Sequence, residues 1–172
     1  LAAGDVKVCT ITNDDIALAT RTQGFLQTHT AYTTSVFNAA PFSGVMLIGD
    51  GALHKGPVDT IGKIFGAFYS SIPYKTTGAK RSPVDKTRIQ LLQQLVAAKL
   101  NCATFGCSAG INALIAGADE AYASGNISAM LSHVSLLNTF NNSGDGVGIV
   151  GGGSATPEAS QALANKVFWN AP

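Results

Sequence analysis

The segment Gly106-Cys107-Ser108-Ala109-Gly110 matches the Gly-x-Ser-x-Gly pattern of a serine nucleophile. In the hydrolases that use this pattern, the serine needs a histidine base and an acid that orients the histidine. His133 is the only histidine that follows Ser108. The acids between them, Asp119 and Glu120, fall inside the helix that would leave the motif. We therefore expect Ser108 to cap a helix and the protein not to be an enzyme.

The segment Asn141-Asn142-Ser143-Gly144-Asp145-Gly146 resembles the beginning of a calcium-binding loop, in which oxygens at alternate positions surround the ion. The twelfth position of such a loop should be Glu, but here it is Gly152. The end of a helix followed by a polar turn explains the same residues, so we expect neither a metal ion nor another cofactor.

The three cysteines are Cys9, Cys102 and Cys107, and none of them forms a Cys-x-x-Cys pair. The histidines are far apart in the sequence, and no ligand spacing indicates a zinc site. In an oxidising compartment we expect one disulfide and one remaining thiol. Either Cys102 and Cys107 close the loop between them, or Cys9 joins the N-terminal strand to that loop. The third cysteine is then a buried thiol or a link between two subunits.

Charged residues make up 12% of the 172-residue chain, about half of the ~25% that is usual in soluble domains. Hydrophobic residues make up 46%, which excludes a disordered chain. The formal net charge is +1, and no basic run could neutralise phosphates, so we expect no binding to nucleic acid. Since the sequence contains no apolar run of about 18 residues, we also expect no membrane span.

The first residues, Leu1-Ala2-Ala3-Gly4, are typical of a chain from which a signal peptide has been removed. A chain cut here for another reason would begin in the same way. The low charge suits an extracellular protein, and it also suits one that packs against copies of itself. We therefore expect a secreted, extracellular protein at the cell surface.

The sequence predicts a mainly α fold, a bundle of four to five helices with a short N-terminal strand and a small β-hairpin. Residues 5–11 alternate in hydropathy like a strand, and residues 45–56 contain Gly49-Asp50-Gly51, a turn that favours hairpins. Apolar residues then recur at helical spacing in four segments. These segments begin after Pro57, at Ser82-Pro83, at Ser108 and after Gly125-Asn126.

Three regions follow from this pattern. Residues 1–143 form the helical domain, residues 144–153 form a Gly-rich linker, and residues 154–172 form an apolar helical tail. The tail either folds back onto its own bundle or docks on the next molecule. Its apolar residues are Leu163, Val167, Phe168 and Trp169.

Three segments in the same order resemble a family of secreted bacterial surface proteins with the signature TQGYWKNHP. They are Thr20–His29 (TRTQGFLQTH), Leu91–Asn101 (LLQQLVAAKLN) and Leu136–Gly144 (LLNTFNNSG). The order and approximate spacing extend over residues 9–146. Leu26, Gln27 and Thr30 replace the tryptophan, lysine and proline of the signature. The signature residues that remain are Thr22, Gln23, Gly24 and His29.

This resemblance implies an exported, cell-surface-associated protein with a mostly helical fold and no assigned activity. In such a fold the retained signature residues would fix the start of a helix by hydrogen bonding.

Together these features predict an extracellular structural protein. We expect it to assemble with copies of itself into a surface filament, a sheath or a biofilm matrix, with the tail joining one subunit to the next. An adhesion or carbohydrate-binding module with exposed aromatic residues is the alternative. A small serine hydrolase built around Ser108 is the weaker alternative, because no histidine and acid accompany the serine in the required order.

Overall fold

The computed structural model describes residues 19–49, 57–144 and 151–172. These residues are mainly helical, which confirms the predicted α fold. They form α1 (Gln23–Thr28), α2 (Thr30–Asn38), α3 (Ile61–Tyr69), α4 (Pro83–Phe105), α5 (Ala109–Ser124), α6 (Ile127–Ser143), α7 (Pro157–Leu163) and a 3-10 helix (Val167–Asn170).

The three longest helices begin where the sequence predicts, because a polar side chain caps each of them. The Ser82 hydroxyl accepts a hydrogen bond from the N–H of Asp85 at the start of α4. Ser108 and Asn126 cap α5 and α6 in the same way. Gly125 ends α5 with a φ of 68°, a left-handed conformation that glycine adopts without a steric penalty.

Helix α4 is the centre of the fold. Its side chains are buried on most of its circumference, as expected for a helix that is surrounded by others. Helices α3, α5 and α6 pack around it, and α1 and α2 contact it at one end. The fully buried apolar residues of α4 are Ile89, Leu91, Leu92, Leu95, Val96, Ala97, Ala98 and Leu100.

The predicted strand and hairpin are not part of the described architecture. The strand at residues 5–11 and the turn at residues 50–56 lie outside the described residues. No strand occurs within the described ranges, where one isolated antiparallel bridge joins Met46 to Val58 and another joins Tyr74 to Lys80. The bridge does not extend past Met46 because the Gly44 N–H donates to Phe37 instead, and Thr60 already caps α3.

The C-terminal tail packs against its own chain. Trp169 is buried, and its indole Nε1 donates a 2.8 Å hydrogen bond to the carbonyl oxygen of Lys63 in α3. The Asn165 N–H donates a 2.8 Å bond to the carbonyl of Gly62. Helix α3 of the same chain therefore covers the Trp169 indole, and Phe168 is half-buried. The role of the four tail residues in assembly stays a prediction. Leu163 and Val167 remain exposed.

The N-terminal end of the tail is attached as well. The hydroxyl of Tyr69 lies 2.8 Å from the hydroxyl of Ser160 in α7. The Thr156 N–H donates a 2.7 Å hydrogen bond to the backbone carbonyl of Thr28, and the hydroxyls of Thr156 and Thr30 are 2.7 Å apart. Residues 156–170 therefore belong to the same core as the helices before them.

Replacing Gly66 by alanine should destabilise the protein, because Gly66 is the point at which α3 and the tail come closest. A Cβ at Gly66 would collide with the backbone carbonyl of Asn165 and press on the Trp169 ring. Gly110→Ala is the matched control, since a Cβ there meets nothing closer than 3.8 Å. We expect Gly110→Ala to stabilise the protein by about 0.5–1 kcal/mol and Gly66→Ala to cost more than that gain. Chemical denaturation measures both, and equal effects would contradict the close packing.

Candidate functional site

The three segments that carry the family resemblance meet in one place. Thr22 caps α1, with its hydroxyl accepting a 3.1 Å hydrogen bond from the N–H of Phe25. The side-chain carbonyl of Gln23 accepts a 2.9 Å bond from the amide of Gln94 in α4. Gln94 in turn accepts two bonds from the Asn141 amide in α6, one at its backbone carbonyl and one at its side chain, both 3.0 Å.

Asn101 continues this network about two turns further along α4 than Gln94. Its amide donates to the Asn141 side chain (3.1 Å) and to the Arg21 carbonyl (2.9 Å). Its side-chain oxygen accepts a 2.7 Å bond from the Arg21 N–H. Asn101 and Asn141 are both buried. Every donor and acceptor of these two amides is used, so the network satisfies the buried polar groups that it contains.

The network, defined here as Arg21, Gln23, Gln94, Asn101 and Asn141, ties three distant parts of the chain together. Apart from Arg21 it consists of neutral amides. Amide groups do not titrate near neutral pH and are not strong nucleophiles. Its chemistry is therefore that of a positioning device. The sequence contained a signal for it, because all five residues lie in the three segments Thr20–His29, Leu91–Asn101 and Leu136–Gly144.

The His29 side chain contacts Phe25, four residues earlier in the chain. Its Nδ1 lies 2.9 Å from the Phe25 carbonyl, and its ring stacks on the Phe25 ring with 3.7 Å between centroids. The Arg21 guanidinium lies over the same ring, 4.3 Å from its centroid, and donates a 2.7 Å bond to the Gly151 carbonyl. The signature histidine thus joins α1 to α2, and Gly24 lies in α1 with ordinary packing distances around it.

Ser108 acts as the helix cap that the sequence predicts. Its hydroxyl accepts a 3.3 Å hydrogen bond from the N–H of Ile111, and the residue is exposed. The His133 ring packs against Gly117, about two and a half turns along α5 from Ser108. Asp119 is occupied elsewhere, so the structure does not bring these residues together as a triad.

Cys102 and Cys107 form a disulfide, which confirms one of the two predicted pairings. It joins the last turn of α4 to the residue before the α5 cap. Gly106 inside this loop has a φ of 76°, so the tight turn uses a conformation that favours glycine. Cys9 lies outside the described residues.

A partly buried ion pair joins Lys99 in α4 to Asp119 in α5. The Lys99 Nζ is 2.6 Å from the Asp119 carboxylate and 2.9 Å from the carbonyl of Leu47. The other carboxylate oxygen of Asp119 accepts a 2.8 Å bond from the Gly49 N–H. Burial raises the pKa of Asp119, and the Lys99 ammonium opposes that rise. The Lys99 ammonium in α4 and the Asp119 carboxylate in α5 thus each bind the backbone of residues 47–49.

Helices α5 and α6 form a surface with almost no charge. Asp119 and Glu120 are the only Asp, Glu, Lys or Arg residues in the two helices. The buried side of α6 carries Met130, Leu137 and Asn141. Its solvent side exposes three large apolar side chains, of which Leu131 is 47% exposed; the other two are Ile127 and Leu136. We call this surface, α5 together with the solvent side of α6, the uncharged face.

No group of three or more His, Cys, Asp or Glu side chains that could hold a metal ion occurs within residues 19–49, 57–144 and 151–172. In the same part of the chain, every helix is too short or too polar to cross a membrane. Comparison of the chain with protein-family models, with curated proteins and with solved structures yields no match.

Proposed function

We propose that this protein is an extracellular structural subunit that associates with copies of itself through the uncharged face, as part of a surface filament, a sheath or a matrix. The observation that carries the proposal is the exposure of Ile127, Leu131 and Leu136 on a pair of helices with only two charged residues.

The chemistry of this face favours a second copy as the partner. Large apolar side chains that are exposed on a surface almost without charge are candidates for interaction. Ile127 and Leu131 lie one turn apart on α6, and Leu136 lies on the other flank of its solvent side. A charged partner would find almost no complementary charge here. Two copies of the uncharged face meet without repulsion, and the exposed alanines of α5 allow close approach. A self-complementary contact of this kind gives a two-fold dimer, whereas contact with a different surface of the next copy propagates a chain.

The proposed location rests on different support. The Cys102–Cys107 disulfide is compatible with an oxidising compartment, where such bonds form and persist. The low charge and the resemblance to exported surface proteins agree with that setting.

Leu131→Glu is expected to abolish self-association, because it places a carboxylate one turn from Ile127 on the exposed apolar side of α6. Leu163→Glu in α7 is the matched control, since Leu163 is also 47% exposed but lies on the tail. Light scattering coupled to size-exclusion chromatography over a range of concentrations measures the mass of each variant. We expect Leu163→Glu to assemble like the parent protein and Leu131→Glu to remain a 17.6 kDa monomer.

Two results would contradict the proposal. A parent protein that stays monomeric at the highest attainable concentration would remove self-association altogether. Loss of assembly in Leu163→Glu, with Leu131→Glu unaffected, would transfer the contact to the exposed part of the tail. Electron microscopy of the native material then shows whether the contact closes a ring or dimer, or continues as a filament.

A further inference from the structure

A second surface has the opposite character from the uncharged face. A cavity of about 210 Å³ lies where the loop after α3 meets the 3-10 helix of the tail. Three basic residues line it, Lys75, Arg81 and Lys166, together with the hydroxyl-bearing residues Ser71 and Tyr74. No Asp or Glu is among the described residues that line it.

Arg81 is the most telling of these residues, because it is only 4% exposed. Its Nε donates a 3.0 Å bond to the Ser71 carbonyl, and its Nη1 donates a 2.7 Å bond to the Trp169 carbonyl. These carbonyl groups orient the guanidinium but do not neutralise it. Within the described part of the chain no carboxylate lies in direct contact with Arg81; Asp85 acts on it from a distance and lies 3.8 Å from Arg88.

A buried charge without a counter-charge is costly in a folded protein. Desolvation lowers the pKa of the Arg81 guanidinium, which is a sign of the same cost. Two further ammonium groups, those of Lys75 and Lys166, line the same cavity and give it a positive charge. A bound anion would remove this penalty.

We propose that this cavity, the basic cavity, binds an oxyanion group, a carboxylate or a sulfate, such as that of an acidic sugar. Carbonyl groups use the Nε and Nη1 donors of Arg81 and fix the guanidinium in place, and its Nη2 group is the donor that remains for an oxygen of the ligand. Lys75 and Lys166 close on the ligand from the rim. The half-exposed Tyr74 ring offers an apolar surface to a sugar that carries the charge. The small volume, below the ~300–1,000 Å³ of drug-sized pockets, suits the charged group of the ligand, and the open side leaves room for the rest of the molecule.

This site is independent of self-association, since it lies on the tail and the α3–α4 loop rather than on α5 and α6. It also provides a route for an assembled surface layer to hold acidic sugars. The alternative function as a carbohydrate-binding module would therefore reside here and not at Trp169, whose ring is buried.

Isothermal titration calorimetry tests the proposal with three probes: sodium glucuronate, sodium sulfate and neutral glucose. We expect binding of the two anions, weakened by added salt, and none of glucose. Tighter binding of glucuronate than of sulfate would assign part of the affinity to the sugar ring, and equal binding would assign all of it to the charged group; both results agree with an oxyanion site.

The double variant Lys75→Gln/Lys166→Gln should weaken glucuronate binding about tenfold or more, which is the loss expected for charge-assisted contacts. Both lysines belong to loops or to the tail surface and have no side-chain partner in the described residues, so the variant should fold normally. Lys86→Gln, outside the cavity, is the matched control and should bind like the parent. Absence of heat with both anions, equal weakening by Lys86→Gln, or equal binding of glucose would overturn the site.

Discussion

Trp169→Ala is expected to lower the free energy of unfolding by about 3–5 kcal/mol, the usual cost of deleting a buried tryptophan. The substitution removes the ring that covers Gly66 and the hydrogen bond to the Lys63 carbonyl. Since small domains are stable by only ~5–15 kcal/mol, a loss of this size approaches the whole stability of the fold. Equilibrium denaturation with urea, followed by circular dichroism, measures it.

Val167→Ala is the matched control for Trp169→Ala. Val167 lies in the same 3-10 helix and is 66% exposed. An exposed position of this kind changes stability by about 0.5 kcal/mol or less. If Trp169→Ala were as stable as Val167→Ala, the tail would not pack in the core, and docking on a neighbouring molecule would regain its support. Removing residues 154–172 should therefore unfold the helical domain rather than leave an intact monomer.

Asn101→Ala is expected to cost about 2–4 kcal/mol, although the side chain is polar. Its loss leaves the Arg21 N–H, the Arg21 carbonyl and the Asn141 amide oxygen without their partners in a buried region. A buried polar group that loses its partner costs about 1–3 kcal/mol, and water entering the space left behind recovers part of the sum. The same denaturation measurement applies.

Asn142→Ala is the control for the network. It removes the same kind of side chain one residue from Asn141, but Asn142 is exposed and bonds only to Asn138 within α6. We expect a change of about 0.5 kcal/mol or less. A small effect of Asn101→Ala would show that the convergence of the three matched segments does not stabilise the fold.

Helix boundaries could be predicted because their signals are local. A cap accepts a hydrogen bond from an N–H only three residues away, as Ser82, Ser108 and Asn126 do at the starts of α4, α5 and α6. Gly125 ends α5 through its own backbone conformation. The structure confirms the helices that these residues delimit. The role of Ser108 followed from the same logic, since the absence of a suitable histidine is visible in the sequence.

The contacts that could not be predicted are those between distant residues. An apolar pattern at residues 163–169 shows that the tail must be covered, but not which surface covers it, and the partner proved to be α3. Asn101 and Asn141 are separated by 40 residues, and amide hydrogen bonds leave no periodic trace in a sequence. The basic cavity likewise combines a loop after α3 with the end of the chain, and its lysines are scattered in the sequence.

The pairing of α3 with the tail has a consequence for biosynthesis. Helix α3 is complete long before Trp169 is added, so the nascent chain leaves the side of α3 that carries Gly62 and Gly66 uncovered while about a hundred further residues are translated. Closing so long a loop is slow compared with forming local helices. A holding chaperone would be most needed in this interval, and its footprint should centre on the side of α3 that the indole later covers.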